Sequence, residues 1–133
     1  MHLGATLYVH NSVEAVAFYR EAFGLELGYH EMYPDGSFLH AELCKDGVEV
    51  FAVSESGNVE FAEAMRTTHW PTMSYGIDFD REAETRRAYD MLASDGHVLR
   101  PLGPLPWNPC CADVVDKYGV YWYIYTLEPR PTD

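Results

Sequence analysis

The most constraining feature of this chain is that one pattern of apolar and polar residues is written twice. Leu3, Ala5, Leu7 and Val9 alternate with Gly4, Thr6, Tyr8 and His10, the period of a strand with one face against a core. Asn11 with Glu14 three residues on is a helix-start signal, and Val16, Tyr19 and Phe23 recur at helical spacing before Gly24. A helix over 12–23, capped at both ends, is expected. Three strands joined by tight turns follow: Leu25 to Tyr33, Phe38 to Lys45 and Val48 to Val53, with Pro34, Asp35 and Gly36 at one turn and Asp46 and Gly47 at the other.

About 70 residues on, the order recurs. Met73, Tyr75, Ile77 and Phe79 alternate with Thr72, Ser74, Gly76 and Asp78, and Asp80 precedes a helical run ending near Gly96. Glu82 and Arg86 sit four apart on that run's exposed side. Strands over about 97–101, 109–115 and 119–127 complete the copy. The pattern predicts an α+β fold of two tandem βαβββ modules, residues 1–54 and 72–127. A polar connector, 55–71, joins them, with one short helix around Glu60 to Arg66.

With 133 residues, 47% apolar and 23% charged, the chain has the composition of a folded protein that builds a core without disulfide or metal staples. Its net charge of −12 disfavours nucleic acid and anionic membrane surfaces as partners. A cationic or neutral small molecule suits that charge better. No basic segment precedes a long apolar run, so a soluble, cytoplasmic protein is expected. Cys44, Cys110 and Cys111 lack zinc spacing and read as reduced thiols, with adjacent Cys110 and Cys111 on opposite faces of one strand.

If each helix covers one face of its sheet, the other face is left to meet a ligand. Parity places Gly4, Thr6, Tyr8 and His10 on that face in the first strand and Thr72, Ser74, Gly76 and Asp78 in the fifth. In the last strand Tyr121, Tyr123 and Tyr125 oppose Val120, Trp122 and Ile124, and the tyrosines are assigned to the open face. Hydroxyls and aromatic rings on one surface are what a small-molecule site requires; the alternative is a plain solvated face.

Several segments resemble the vicinal oxygen chelate superfamily of glyoxalases, bleomycin resistance proteins and ring-cleaving dioxygenases. FYREAFG (18–24) looks like its first-helix signature. YPDGSFLHAEL (33–43) is similar to a turn and His-Ala-Glu-Leu strand of the PhnB-like branch. Trp107, nine residues before Asp116, is similar to that branch's Trp-Gly segment running into Asp-Pro-Phe-Gly. Here Asp116, Lys117, Tyr118 and Gly119 replace the latter motif, and Asn108 stands where Gly is usual. The resemblance runs from Leu7 to Tyr125. It implies the glyoxalase/bleomycin resistance fold, a single domain over residues 1–133 whose curved mixed sheet surrounds a central cup, and a homodimer.

The superfamily's metal enzymes chelate a divalent cation with His, Gln or Glu from the first, fourth, fifth and eighth strands. The resemblance maps those positions to Gly4, Ala52, Ser74 and Tyr123. None is an imidazole, carboxylate or thiolate, so no metal is expected there.

His40 and Glu42, two apart on a strand, leave the same face, with Leu39, Ala41 and Leu43 turned to the helix side. A histidine beside a carboxylate is a general-base pair, although such pairs often only satisfy each other. Tyr121, Tyr123 and Tyr125 offer stiff aromatic area with a polar tip, suited to an aromatic, sugar or cationic guest, or else they fill the cup themselves. Trp107, on an irregular segment, either clamps a ligand or seals a dimer interface. His2, His30, His69 and His97 read as surface residues, and Met65 and Trp70 as packing for the connector. The expected function is metal-free binding or sequestration of a small molecule. The alternative is a metal-dependent lyase, isomerase or dioxygenase using the displaced ligands His10, His40, Glu42 and Asp78.

Overall fold

The computed structural model describes residues 1–67 and 70–127. In chain order the elements are β1 (Thr6–Val9), α1 (Ser12–Phe23), β2 (Glu26–Met32), β3 (Phe38–Lys45), β4 (Val48–Glu55), α2 (Val59–Thr67), β5 (Tyr75–Phe79), α3 (Glu82–Ala93), β6 (His97–Leu105), β7 (Asn108–Val115) and β8 (Tyr121–Thr126). Two four-stranded mixed sheets result, ordered β1-β4-β3-β2 and β5-β8-β7-β6. β1 runs parallel to β4 and β5 parallel to β8, and the other pairs are antiparallel. This is the α+β arrangement of repeated βαβββ units that the sequence pattern predicts. The chain divides into two compact units, Met1–Ala62 and Glu63–Asp133.

The repeat extends to single hydrogen bonds. Ser56 N–H donates to the Val9 carbonyl at 2.7 Å, and Leu127 N–H donates to the Phe79 carbonyl at 2.7 Å. Each bond closes the end of a parallel ladder just before a helix begins.

In the first unit α1 buries Ala15, Val16, Tyr19, Ala22 and Phe23. Tyr19 stacks on Phe23 with centroids 5.9 Å apart and meets Phe51 of β4 edge-on at 5.6 Å. Leu43 and Val53 complete this core; burying one such aliphatic side chain contributes about 1.5–3 kcal/mol. Gly24 ends α1 in the left-handed region, φ 66°, where a side chain would be strained. In the second unit Thr85, Ala88 and Leu92 of α3 face Val114, Trp122 and Ile124 of the sheet. Glu82 and Arg86 form the expected pair on the exposed side of α3, 2.8 Å apart.

Four local expectations are corrected. The first strand begins at Thr6 rather than Leu3, because the ladder to β4 starts at Thr6 opposite Ala52, and Leu3 is exposed. The fifth begins at Tyr75, leaving Ser74 and Met73 exposed ahead of it. Asn11 is left-handed, φ 52°, and makes no cap to the helix backbone; its amide donates instead to Glu14 Oε2 at 2.8 Å. The first helical N–H, from Ser12, goes to Glu55 Oε1 on β4 at 2.8 Å. Leu39 faces outward, because the register shifts between Glu31 opposite His40 and Met32 opposite Phe38, so Phe38 takes the buried place. His2, His30 and His97 are exposed as expected, and His69 lies outside the described residues.

Candidate functional site

Each sheet turns one face to its helix and the other away. In the first unit the latter face is ordered by register: Glu42 lies opposite Ala52 and Ala52 opposite Thr6, while Ser54 lies beside Tyr8. Thr6 is half-buried and Tyr8 exposed; His10, half-buried, follows the end of β1. His40 Nε2 sits 2.9 Å from Glu42 Oε2. The Tyr29 ring lies 6.1 Å from the His40 ring, and its hydroxyl donates to Glu31 Oε1 at 2.8 Å. That bond to Glu31, and the charge it carries, raise the Tyr29 phenol above its ordinary pKa. The face is thus a polar quartet of Tyr29, Glu31, His40 and Glu42. Tyr29 and Glu31 were not singled out in the sequence, because a bulge between Leu27 and His30 resets the parity of β2.

In the second unit β8 is the centre of the open face. Trp122 and Ile124 are fully buried under α3, and Tyr121, Tyr123 and Tyr125 are half-buried on the other side. Tyr123 and Tyr125 stack with centroids 5.2 Å apart and planes 23° from parallel. Both hydroxyls are engaged. Trp107 Nε1–H donates to Tyr123 Oη at 2.9 Å, and Tyr125 Oη–H donates to Asp78 Oδ2 at 3.3 Å. Gly76 of β5 pairs with Tyr123, and a side chain there would stand 3.9 Å from Cε1 of the Tyr125 ring, in ordinary van der Waals contact with it.

Trp107 lies in a two-residue turn between Leu105 and Asn108, which pair across the β6–β7 hairpin, and not on an irregular segment. The turn is anchored by buried Asn108, whose amide donates to the Thr126 carbonyl at 2.8 Å and whose Oδ1 accepts Cys110 N–H at 2.9 Å. This gives Asn108 a structural reason to be present.

Tyr121 belongs to a neighbouring cluster. Its hydroxyl donates to Asp113 Oδ1 at 2.6 Å, Arg100 Nη1 approaches Asp113 Oδ2 at 3.6 Å, and the Arg100 guanidinium lies 5.5 Å from the centre of the Trp70 ring. Burial first, and then the bond to the Asp113 carboxylate, push the Tyr121 phenol up. Burial and the Cys111 thiol push Tyr123 up to about 12, against a smaller opposing effect of the Trp107 N–H. Asp113 and Arg100 were not foreseen; the signal was an aspartate inside the otherwise apolar run Cys110 to Val115.

No protein-family model matches the chain. The chain is similar to protein YjdN of Escherichia coli K12, 28% identical over 136 residues and covering 92% of each chain. A PhnB protein from Bacillus cereus superposes with a TM-score of 0.74 at 27% identity, over 96% of this chain and 100% of that one. The fosfomycin resistance protein FosX of Listeria monocytogenes, solved with Mn(II) and sulfate, shares the fold with a TM-score of 0.63 at 12% identity, over 96% of this chain and 90% of that one. The chain is similar in sequence and fold to proteins of the vicinal oxygen chelate superfamily. Its two βαβββ units are those of the glyoxalase/bleomycin resistance fold, and its similarity lies with the PhnB-like branch.

Taken one by one, the side chains at the positions to which the resemblance maps metal ligands do not suit a divalent ion. Gly4 has no side chain, Ala52 presents a buried methyl, and Ser74 an exposed hydroxyl ahead of β5. Tyr123 already accepts the Trp107 N–H and holds its own proton to about pH 12. Among the described residues no group of three or more His, Cys, Asp or Glu is placed to hold a metal. Of the displaced candidates, His40 and Glu42 are brought together with each other, while Asp78 bonds Tyr125.

Proposed function

We propose that this chain is a metal-free binding protein of the vicinal oxygen chelate superfamily that takes up an aromatic or cationic small molecule on the Tyr123–Tyr125 face, sequestering it without turnover. The observation that carries this reading is the stacked, half-buried tyrosine pair, fixed at both hydroxyls by Trp107 and Asp78, with glycine at position 76 beside it. Rigid rings offer binding area at little cost in side-chain entropy, and their π faces attract a cation. The Asp78 carboxylate beside them and the net charge of −12 favour a positive guest. Thr6, Tyr8, His10, His40, Glu42, Ser74 and Tyr121 remain candidate contacts on the two faces.

A cytoplasmic setting accords with three free cysteines. Among the described residues no helix is long and apolar enough to cross a membrane. A homodimer is part of the proposal, supported by exposed Tyr29, Met32, Tyr33 and Leu39 on the β2–β3 hairpin. Light scattering would read it as a doubled mass.

The test is a titration with phenyltrimethylammonium followed by tryptophan fluorescence, since Trp107 is 67% exposed and bonded to the face. A saturable change that disappears when Tyr123 and Tyr125 are both replaced by Ala supports the reading. Absence of any saturable change with this or other aromatic cations overturns it.

One specific contact favours a second reading. His40 Nε2 within 2.9 Å of Glu42 has the arrangement of an oriented general base. On that reading His40→Ala abolishes turnover of a substrate and leaves its affinity largely unchanged.

A further inference from the structure

We infer that Tyr123 presents its phenolic proton to the ligand and selects compounds with a hydrogen-bond acceptor beside the aromatic ring, and that Trp107 is the positioning residue that sets this polarity. The inference rests on the Tyr123–Tyr125 face being the binding surface and names what that face recognises.

The argument is one of donor inventory. An indole N–H can only donate, so the 2.9 Å contact between Trp107 Nε1 and Tyr123 Oη occupies a lone pair of the phenol oxygen. The phenol's single proton must then point elsewhere. The neighbouring acceptor is the Cys111 thiol, which already donates to the Gly103 carbonyl at 3.6 Å and whose sulfur is a weak acceptor. A carbonyl, N-oxide or similar oxygen on a ligand is a far better partner.

Tyr125 has the opposite arrangement, since its hydroxyl donates to Asp78. Within one stacked pair, the ring next to Asp78 is biased towards the cationic part of a guest and the ring next to Trp107 towards an acceptor. The high pKa of Tyr123, about 12, keeps this donor neutral through the physiological range. The ligand class is therefore an aromatic cation carrying a carbonyl-type oxygen.

A matched pair of probes isolates the donor: (4-acetylphenyl)trimethylammonium and (4-isopropenylphenyl)trimethylammonium, which share shape and fixed charge and differ in a C=O against a C=CH2. Calorimetric titration of wild type is expected to favour the acetyl compound by about fivefold or more, the worth of one net hydrogen bond. Tyr123→Phe should bring the two affinities together by weakening only the acetyl probe. Trp107→Phe, which removes the N–H and frees the phenol to rotate, should shrink the preference while both probes still bind. Equal affinities in wild type, or a preference that survives Tyr123→Phe, overturn the inference and leave the binding face standing. If neither probe binds wild type, the binding face itself fails, and the donor with it. Thermal melts of both variants show that each is folded.

Discussion

Trp122 donates its indole N–H to Asp116 Oδ2 across 2.8 Å, and both side chains are sealed in the core of the second module. The other carboxylate oxygen accepts the Tyr118 N–H at 2.9 Å and the Val120 N–H at 3.1 Å. One aspartate thus closes the β7–β8 turn and fixes the tryptophan behind the tyrosine face, the structural reason for an aspartate at the head of this turn. Asp116→Asn would turn an acceptor-only group into one that must set a donor against a donor. A loss of about 2–3 kcal/mol is expected, measured as a fall in urea midpoint at constant slope.

Gly96 has no room for a side chain. A Cβ there would lie 2.5 Å from the Leu92 carbonyl oxygen and 2.6 Å from that of Val115, both backbone atoms. Gly96→Ala is expected to cost about 3 kcal/mol, because helix α3 and strand β7 must separate to admit the methyl. Chemical denaturation would show the loss.

Glu55 links acid stability to the start of α1. Burial alone would raise its pKa, but hydrogen bonds from Ser12, Gly57 and Asn11 outweigh that and hold it below the usual glutamate value. A folded-state pKa below the unfolded value of about 4.3 gives stability that is present above that pH and lost as pH falls through the folded value. Glu55→Gln should therefore flatten the loss of stability on acidification below about pH 4.5, with urea melts at several pH values as the readout.

Tyrosines 121 and 123 predict the opposite limb. Both phenols are raised, Tyr123 to about 12, by burial first and then by Asp113 or Cys111. Below the unfolded value of about 10 neither state ionises; above it the unfolded chain releases protons that the fold retains, so stability falls as pH rises from about 10 towards 12. Tyr121→Phe and Tyr123→Phe should each soften this alkaline decline. In a spectrophotometric titration of wild type, part of the phenolate absorbance should appear only near unfolding.

Much of this architecture was legible because it rests on periodicity. The α1 helix and the β3 strand fall where the alternation and the turn residues put them, and the two-sided character of β8 follows from Trp122 and Ile124 alternating with tyrosines. What could not be read depends on tertiary register. A bulge turned Leu39 outward, and the cap expected of Asn11 passed to Glu55, distant in sequence. Ser74 fell outside its strand because no ladder reaches it. On the candidate face, residue types were visible but hydrogen-bond direction was not. Only the approach of Trp107 to Tyr123, and of Asp113 to Tyr121, bears on where each hydroxyl directs its proton.

The central claim, that aromatic cations bind the Tyr123–Tyr125 face without a metal, is tested most directly by calorimetric titration of (4-acetylphenyl)trimethylammonium into protein dialysed against EDTA and again after addition of Mn(II). The account predicts stoichiometric binding of equal affinity in both titrations and its loss when Tyr123 and Tyr125 are replaced by Ala. Binding that appears only after the metal is restored would contradict it.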